Sequence, residues 1–177
     1  MGKPETHEEY THRLAGYVEG RDPLVMQGAA PITVARLIEG VREDMLHQKP
    51  APQKWSVVEI IAHLAEDELT SSWRYRQMLE HNGVSLMGFD QDLWARLGDY
   101  ASWNARDALE MFRLLREANL RLLHRLSPAE WEREGHHAER GRMAVRELAR
   151  HMAAHDINHI RQIERILGVG TFSSISE

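Results

Sequence analysis

The chain contains no cysteine. Disulfides, thiolate metal ligands and a cysteine nucleophile are therefore excluded, and any thiol that takes part in chemistry has to arrive from outside. Long apolar runs are missing as well. Nothing approaches the roughly eighteen consecutive apolar residues of a membrane span, and the opening MGKPETHEEYTHR lacks the apolar core of a signal peptide. Thr6 completes a formal myristoylation pattern, but His7, Glu8 and Glu9 supply no second, basic membrane signal. The expected address is the cytoplasm, with no membrane partner. There is no basic stripe or lysine-rich run, and the formal net charge is −5, which argues against a nucleic-acid partner. Neither a long apolar–polar alternation nor an internal repeat is present, so no strand is predicted.

What is present is a helical pattern in a chain of ordinary globular composition. Hydrophobic residues make up 42% and charged ones 28% of 177 residues, enough for one compact domain with a sizeable core. A short helix is expected from about Thr6 to Glu19, ended by the turn-rich GRDP at Gly20 to Pro23. A second is expected from Thr33 to His47, with Val34, Leu37, Ile38, Val41 and Met45 on one side, stopping before the breaker run at Lys49 to Gln53. The third has the clearest start: Ser56 and Glu59 fit a capping box, and the helix should continue to about His81, with Asn82-Gly83 ending it. A loop from Gly83 to about Asn104 separates it from a helix over Ala105 to Leu126. Ser127 to Glu130 signals a single helical turn carrying Trp131. After a polar stretch, Glu132 to Arg142, the last long helix runs from about Ala144 to Leu167, with Gly168 and Gly170 as its stop and a loosely held tail. Four long helices imply an all-α four-helix bundle with additional short helices, residues 1–32 forming an N-terminal extension that packs on it.

The histidines carry the chemistry. On the last helix, Leu148, Met152, His155, His159, Ile163 and Ile166 fall on one stripe, with Arg146, Arg150, Arg161 and Glu164 on the other side. His155 and His159 stand one turn apart inside that apolar stripe, where two imidazoles need either separate hydrogen bonds or a shared cation. His63, in WSVVEIIAHLAEDE, occupies the shoulder of its own helix's apolar face beside Ile60, Leu64 and Met78. A third imidazole from that distant helix would complete a three-ligand catalytic metal shell with one position open. Asp67, one turn beyond His63, could orient a ligand, accept a proton from bound water or join the coordination sphere; a solvated or salt-bridged carboxylate is the plainer alternative. His151 with His155 is a rival pair, nearer the edge of the stripe. His136 and His137 read as exposed loop residues, and the five tryptophans as packing anchors.

GRDPL at Gly20 to Leu24, PQKWSVVEIIAHLAEDE at Pro52 to Glu68, FDQDLWA at Phe89 to Ala95 and GRMAVRELARHMAAHDINHIRQI at Gly141 to Ile163 resemble, in that order, the DinB/YfiT superfamily. The most specific parts are the W-S-x-x-E-x-x-x-H-L start and the H-D-x-x-H-x-x-Q-I end. The resemblance implies a four-helix bundle with up-down-down-up connectivity, often a homodimer, and one divalent ion, commonly nickel or zinc, held by three histidines. By position these are His63, His155 and His159. Some members of the superfamily are enzymes and many have no known reaction, so a metal-dependent enzyme acting on a small molecule is the leading expectation. The leading reading is transfer of a low-molecular-weight thiol such as bacillithiol or mycothiol, with Asp67 handling protons. The alternatives are a metal-dependent hydrolase and a non-enzymatic metal- or ligand-binding protein. One departure stands out: relatives often start the last helix with a threonine where this chain has Ala144, which should cost about 1 kcal/mol of capping.

Overall fold

The computed structural model of the chain describes residues 6, 9, 13, 14, 16–138 and 140–169. Its first long helix, α1, spans Pro23–Ile38. Asp22 opens it: its carboxylate accepts the N–H groups of Leu24 at 2.8 Å and Val25 at 3.4 Å, and Pro23 takes the first helical position, where a missing N–H is harmless. This helix begins ten residues before the expected Thr33, so GRDP starts a helix as well as ending a turn, and residues 23–32 belong to α1. It also stops earlier, at Gly40 with φ of 73°, leaving α2 (Glu43–Leu46) as a separate turn. Of the segment before it, residues 9, 13, 14, 16 and 17 are helical, and Leu14 and Val18 cluster with Met26, Ala153 and Ala154.

The remaining long helices follow the expected pattern closely. α3 (Val57–Glu80) starts at the Ser56–Glu59 capping box, with Ser56 N–H donating to Glu59 Oε2 at 2.8 Å and Glu59 N–H to Ser56 Oγ at 3.3 Å. The Gly83–Asn104 stretch carries a short strand β1 (Val84–Leu86), a helix α4 (Gln91–Leu97) capped by Asp90, and a 3₁₀ turn at Tyr100–Ser102. α5 (Ala105–Leu123) is capped by Asn104 and ends three residues before the expected Leu126. The turn α6 (Pro128–Trp131) has its own capping box, Ser127 with Glu130. α7 (Val145–Leu167) closes at Gly168, whose φ of 67° lets the Val169 N–H reach Glu164 O at 3.1 Å. The tail and Gly170 lie outside the described residues.

None of the three strands, nor α4, was expected from sequence. The stretch Glu132 to Arg142, read as polar and irregular, carries strand β2 (Glu134–His137) and the start of β3 (Gly141–Ala144), which takes in Ala144, expected as the first residue of the last helix. β2 pairs parallel with β1 and antiparallel with β3. These strands are three or four residues long, too short to show alternation. Gly135 makes the pairing with β1 possible, because a Cβ there would come within 2.7 Å of the Leu86 side chain.

The four long helices form the bundle: α3 packs against α5 and α7, and α1 against the same two. Consecutive long helices α1 and α3, and likewise α5 and α7, thus stand diagonally in the bundle rather than as its main packing partners. The core is layered. One apolar cluster gathers Val57, Ile60, Ile61, Leu64, Phe112 and Ile163, and another Tyr75, Met78, Leu123, Leu148 and Met152. Between them along the helices lies a buried polar layer, containing Glu68, Ser71, Arg116, Asn119, His155, Asp156 and His159. Among the described residues, no helix is long and apolar enough to cross a membrane.

Candidate metal centre

The Ser56 cap sets the start of α3, and His63 follows two turns later on its inward face, 1% exposed. α7 contributes His155 and His159, each 7% exposed, from successive turns. The three rings fan around one point. Their centroids lie 5.1 Å (His63–His155), 4.9 Å (His63–His159) and 4.4 Å (His155–His159) apart, with the planes at 63–67°. The Nε2 atom of His155 is 3.2 Å from that of His63 and 3.1 Å from that of His159. Bonds of about 2.0–2.1 Å to a tetrahedral ion place neighbouring nitrogens roughly 3.3 Å apart. Among the described residues this is the one group of three or more potential ligands close enough to share an ion.

The outer nitrogens show why a cation suits this space. His159 Nδ1 faces Gln162 Oε1 at 3.1 Å. Since a carbonyl oxygen only accepts, Nδ1 carries the proton and Nε2 presents a lone pair. His155 Nδ1 sits 3.4 Å from Asp67 Oδ2, too poorly aligned for a hydrogen bond but next to a negative charge that again favours a proton there. Two lone pairs then face each other across 3.1 Å, and a shared cation is what satisfies both. Burial pushes all three imidazoles toward the neutral, ligating form. It lowers His63, against the opposing charge of Asp67. It lowers His155 well below the usual range, helped by the neighbouring imidazoles, and it takes His159 down to about 3. The residues present fit a divalent ion.

Asp67 lies one turn beyond His63, buried, with Thr70 Oγ1 donating to its Oδ1 at 3.3 Å. Burial raises its pKa, and the His63 imidazole opposes that shift. Trp55 covers the triad on another side, its ring 4.9 Å from His63 and stacked at 6.5 Å over His159. A cleft of about 330 Å³ opens onto His63, Asp67 and His155. Its walls come from α3 (Arg74), the segment Phe89 to Gln91, the β2–β3 hairpin (His137, Arg140, Met143) and α7 (Leu148, His151, Met152).

As its place at the edge of the stripe implied, His151 lies outside the convergent group: it lines the cleft, its ring 6.0 Å from that of His155, and its Nε2 accepts from Arg140 Nη1 at 2.6 Å. Three other expectations need correcting here. Of the pair read as exposed loop residues, His136 is exposed, whereas His137 is buried on β2 and lines the cleft, because alternation along a strand sends neighbours to opposite faces. Trp73 is no packing anchor; it stands 65% exposed on the outer face of α3. Glu164, assigned to the solvated side of α7, is buried.

A buried ion-pair network behind the triad was not anticipated either. Arg116, 1% exposed, donates to both Asp156 oxygens at 2.6 and 3.0 Å, to Glu68 Oε1 at 2.8 Å and to the Gln27 carbonyl at 2.7 Å. Burial disfavours the guanidinium charge, but Asp156 and Glu68 more than offset this and hold Arg116 protonated. One signal was available: Asp156 falls on the apolar stripe of α7 between Ile163 and Ala149, and a charge in that place needs a partner.

With this geometry in hand, comparisons with known proteins add an independent line. The family model of the DinB superfamily matches residues 30–163. A protein of Oceanobacillus iheyensis, named provisionally as a metal-dependent hydrolase, is 27% identical over 109 residues; the match spans 62% of this chain and 63% of that relative's length. YfiT from Bacillus subtilis, provisionally named in the same way, is 21% identical over 142 residues, 78% of this chain and 80% of the relative. The YfiT structure, described as having an unusual four-helix bundle topology, superposes with a TM-score of 0.76 at 16% identity, covering 96% of this chain and 94% of the other. At that identity the structural likeness speaks for the fold alone.

Proposed function

This chain belongs to the DinB superfamily, and from that premise we propose that it is a metal-dependent enzyme whose ion, nickel or zinc, is held by His63, His155 and His159. The observation that carries the reading is the cleft that reaches His63, His155 and Asp67. A purely structural ion tying α3 to α7 would need no such opening. When bound, the divalent ion lends Lewis acidity and lowers the pKa of an incoming water or thiol toward neutrality.

The protein's own groups do the rest. Three neutral imidazoles suit zinc or nickel. Gln162 keeps His159 in the tautomer whose Nε2 faces inward. Asp67, raised by burial and placed beside His155, is the group positioned to take the proton from the nucleophile. We favour hydrolysis as the reaction, because both curated relatives carry that description. Transfer of a low-molecular-weight thiol, the first reading of the sequence, rests on family analogy alone and forms the second arm of the test. The substrate is a small molecule, and the working form is a cytoplasmic homodimer; sedimentation of the purified chain as a monomer at micromolar concentration would remove the dimer from this proposal.

The test loads the protein with zinc or nickel, then measures ester and amide hydrolysis and, separately, thiol consumption with an electrophile. Turnover in one arm should disappear in the His63→Ala, His155→Ala and His159→Ala variants. Asp67→Asn should lower kcat by about 10²–10⁴-fold while metal content holds. Turnover equal in wild type and histidine variants would sink the reading.

A further inference from the structure

The cleft has a charge pattern that the metal centre does not use. Asp67 stands at the triad, and Asp90, although it also lines the cleft, is engaged in capping α4, its Oδ1 accepting from the N–H groups of Asp92 and Leu93 at 3.0 Å each. Two guanidinium groups line the same space. Arg74 comes from α3, two turns beyond Asp67, and one of its nitrogens donates to Met87 O at 2.8 Å. Arg140 comes from the β2–β3 turn, just before Gly141, whose φ of 71° bends the chain into β3. His151 holds Arg140 in place, its Nε2 accepting one of the guanidinium's five N–H groups at 2.6 Å. Arg140 makes no ion pair with a carboxylate among the described residues. Since the His151 and His155 rings are only 6.0 Å apart, this guanidinium is within a few bonds' reach of the triad.

From this arrangement, and resting on the metal-dependent reading above, we propose that the cleft selects substrates carrying a compact oxyanion, a carboxylate or a phosphate, that docks on Arg140 with support from Arg74 while the reacting group sits at the histidine triad. The planar fork of a guanidinium matches such oxyanions in bidentate geometry. Arg140 is exposed and Arg74 half-buried, and they line the cleft from different elements, the β2–β3 turn and α3, so an anion would be held from two sides. His151 acts here as a positioning residue for Arg140.

The test uses cobalt(II)-loaded protein and three small thiols: 3-mercaptopropionate, 2-mercaptoethyl phosphate and the neutral 3-mercaptopropanamide. Calorimetry reads affinity, and the visible cobalt spectrum reads whether the sulfur reaches the ion. At least one oxyanion thiol should bind roughly tenfold or more tightly than the amide. Arg140→Gln should bring that ratio toward one with cobalt stoichiometry unchanged, and Arg140→Lys should keep part of it. Carboxylate and phosphate arms compared with each other identify which anion the cleft prefers. Equal affinity of charged and neutral thiols in the wild type, no heat of binding from any of them, or a charge preference that survives in both Arg140→Gln and Arg74→Gln overturns the proposal. A charge preference that is present in the wild type and lost in Arg140→Gln, with a cobalt spectrum unchanged by the thiols, supports the oxyanion site and counts instead against the open metal position.

Discussion

At the scale of single residues, the buried triad ties stability to pH. His63, His155 and His159 all have folded-state pKa values below the ordinary 6.5, His159 near 3, because burial disfavours the charged ring. The unfolded chain therefore takes up protons first as the pH falls. Stability of the metal-free protein should be fully present above about pH 6.5 and decline below it. Each differentially protonated ring contributes a slope of at most about 1.4 kcal/mol per pH unit. Thermal unfolding of metal-free protein between pH 7.5 and 5 should show Tm falling, and the metal-loaded form should resist longer, since protons must first displace the ion. A flat Tm over that range would contradict the burial of neutral imidazoles. At this scale much of the site was legible. The i, i+4 spacing put His155 and His159 on one stripe, and the wheel placed His151 at its edge, half-buried as found. Arg140 and His137 were not legible, because they reach the cleft through a hairpin whose strands are too short to leave a periodic trace.

Among the elements, caps decided what could be read. Ser56 with Glu59 and Ser127 with Glu130 are reciprocal pairs visible as sequence, and both helices start where those pairs say. Asp22-Pro23 is an equally good start signal, yet Pro31 inside the same helix argues against a continuous α1. The structure resolves that conflict physically. A proline at 31 withholds the N–H that the Gln27 carbonyl would normally accept, and Arg116 Nη1 fills the vacancy at 2.7 Å. Tertiary structure thus makes tolerable what local rules forbid. The start of α7 is the reverse case. Glu147 Oε2 accepts the Ala144 N–H at 2.7 Å, but Ala144 has no oxygen to return the bond. Half of a capping box is in place, held by the Val145 N–H donating to Arg133 O at 2.8 Å. Ala144→Ser should restore the other half and stabilise the protein by about 1 kcal/mol, read as a raised midpoint in urea unfolding. An unchanged or lowered midpoint would mean that the β3 junction cannot seat the hydroxyl.

For the whole molecule, the polar layer between the two apolar clusters links all four long helices through hydrogen bonds and ion pairs, as the larger apolar cluster does through packing. Arg116 on α5 reaches Glu68 on α3, Asp156 on α7 and the Gln27 carbonyl on α1. Asn119 adds a bond to Glu68 Oε2 at 2.9 Å. Removing one partner from such a network leaves buried charge uncompensated, so Arg116→Met should cost about 3–5 kcal/mol. Denaturant unfolding checks this; a loss below about 1 kcal/mol would place the network among ordinary polar contacts. The four-helix architecture could be read from helix count and lengths, whereas the partners of Arg116 could not, because they come from helices far apart in sequence; only the place of Asp156 on the α7 stripe signalled that a partner was needed. The same layer carries the triad, so fold and proposed chemistry meet in one place. Equilibrium dialysis of metal-free protein against zinc, followed by elemental analysis of wild type and of His63→Ala, His155→Ala and His159→Ala, tests that meeting most directly. One ion per chain in the wild type, with occupancy sharply reduced in each folded variant, is the expected result. Wild-type protein that retains no zinc, or variants that retain as much as wild type, would contradict it.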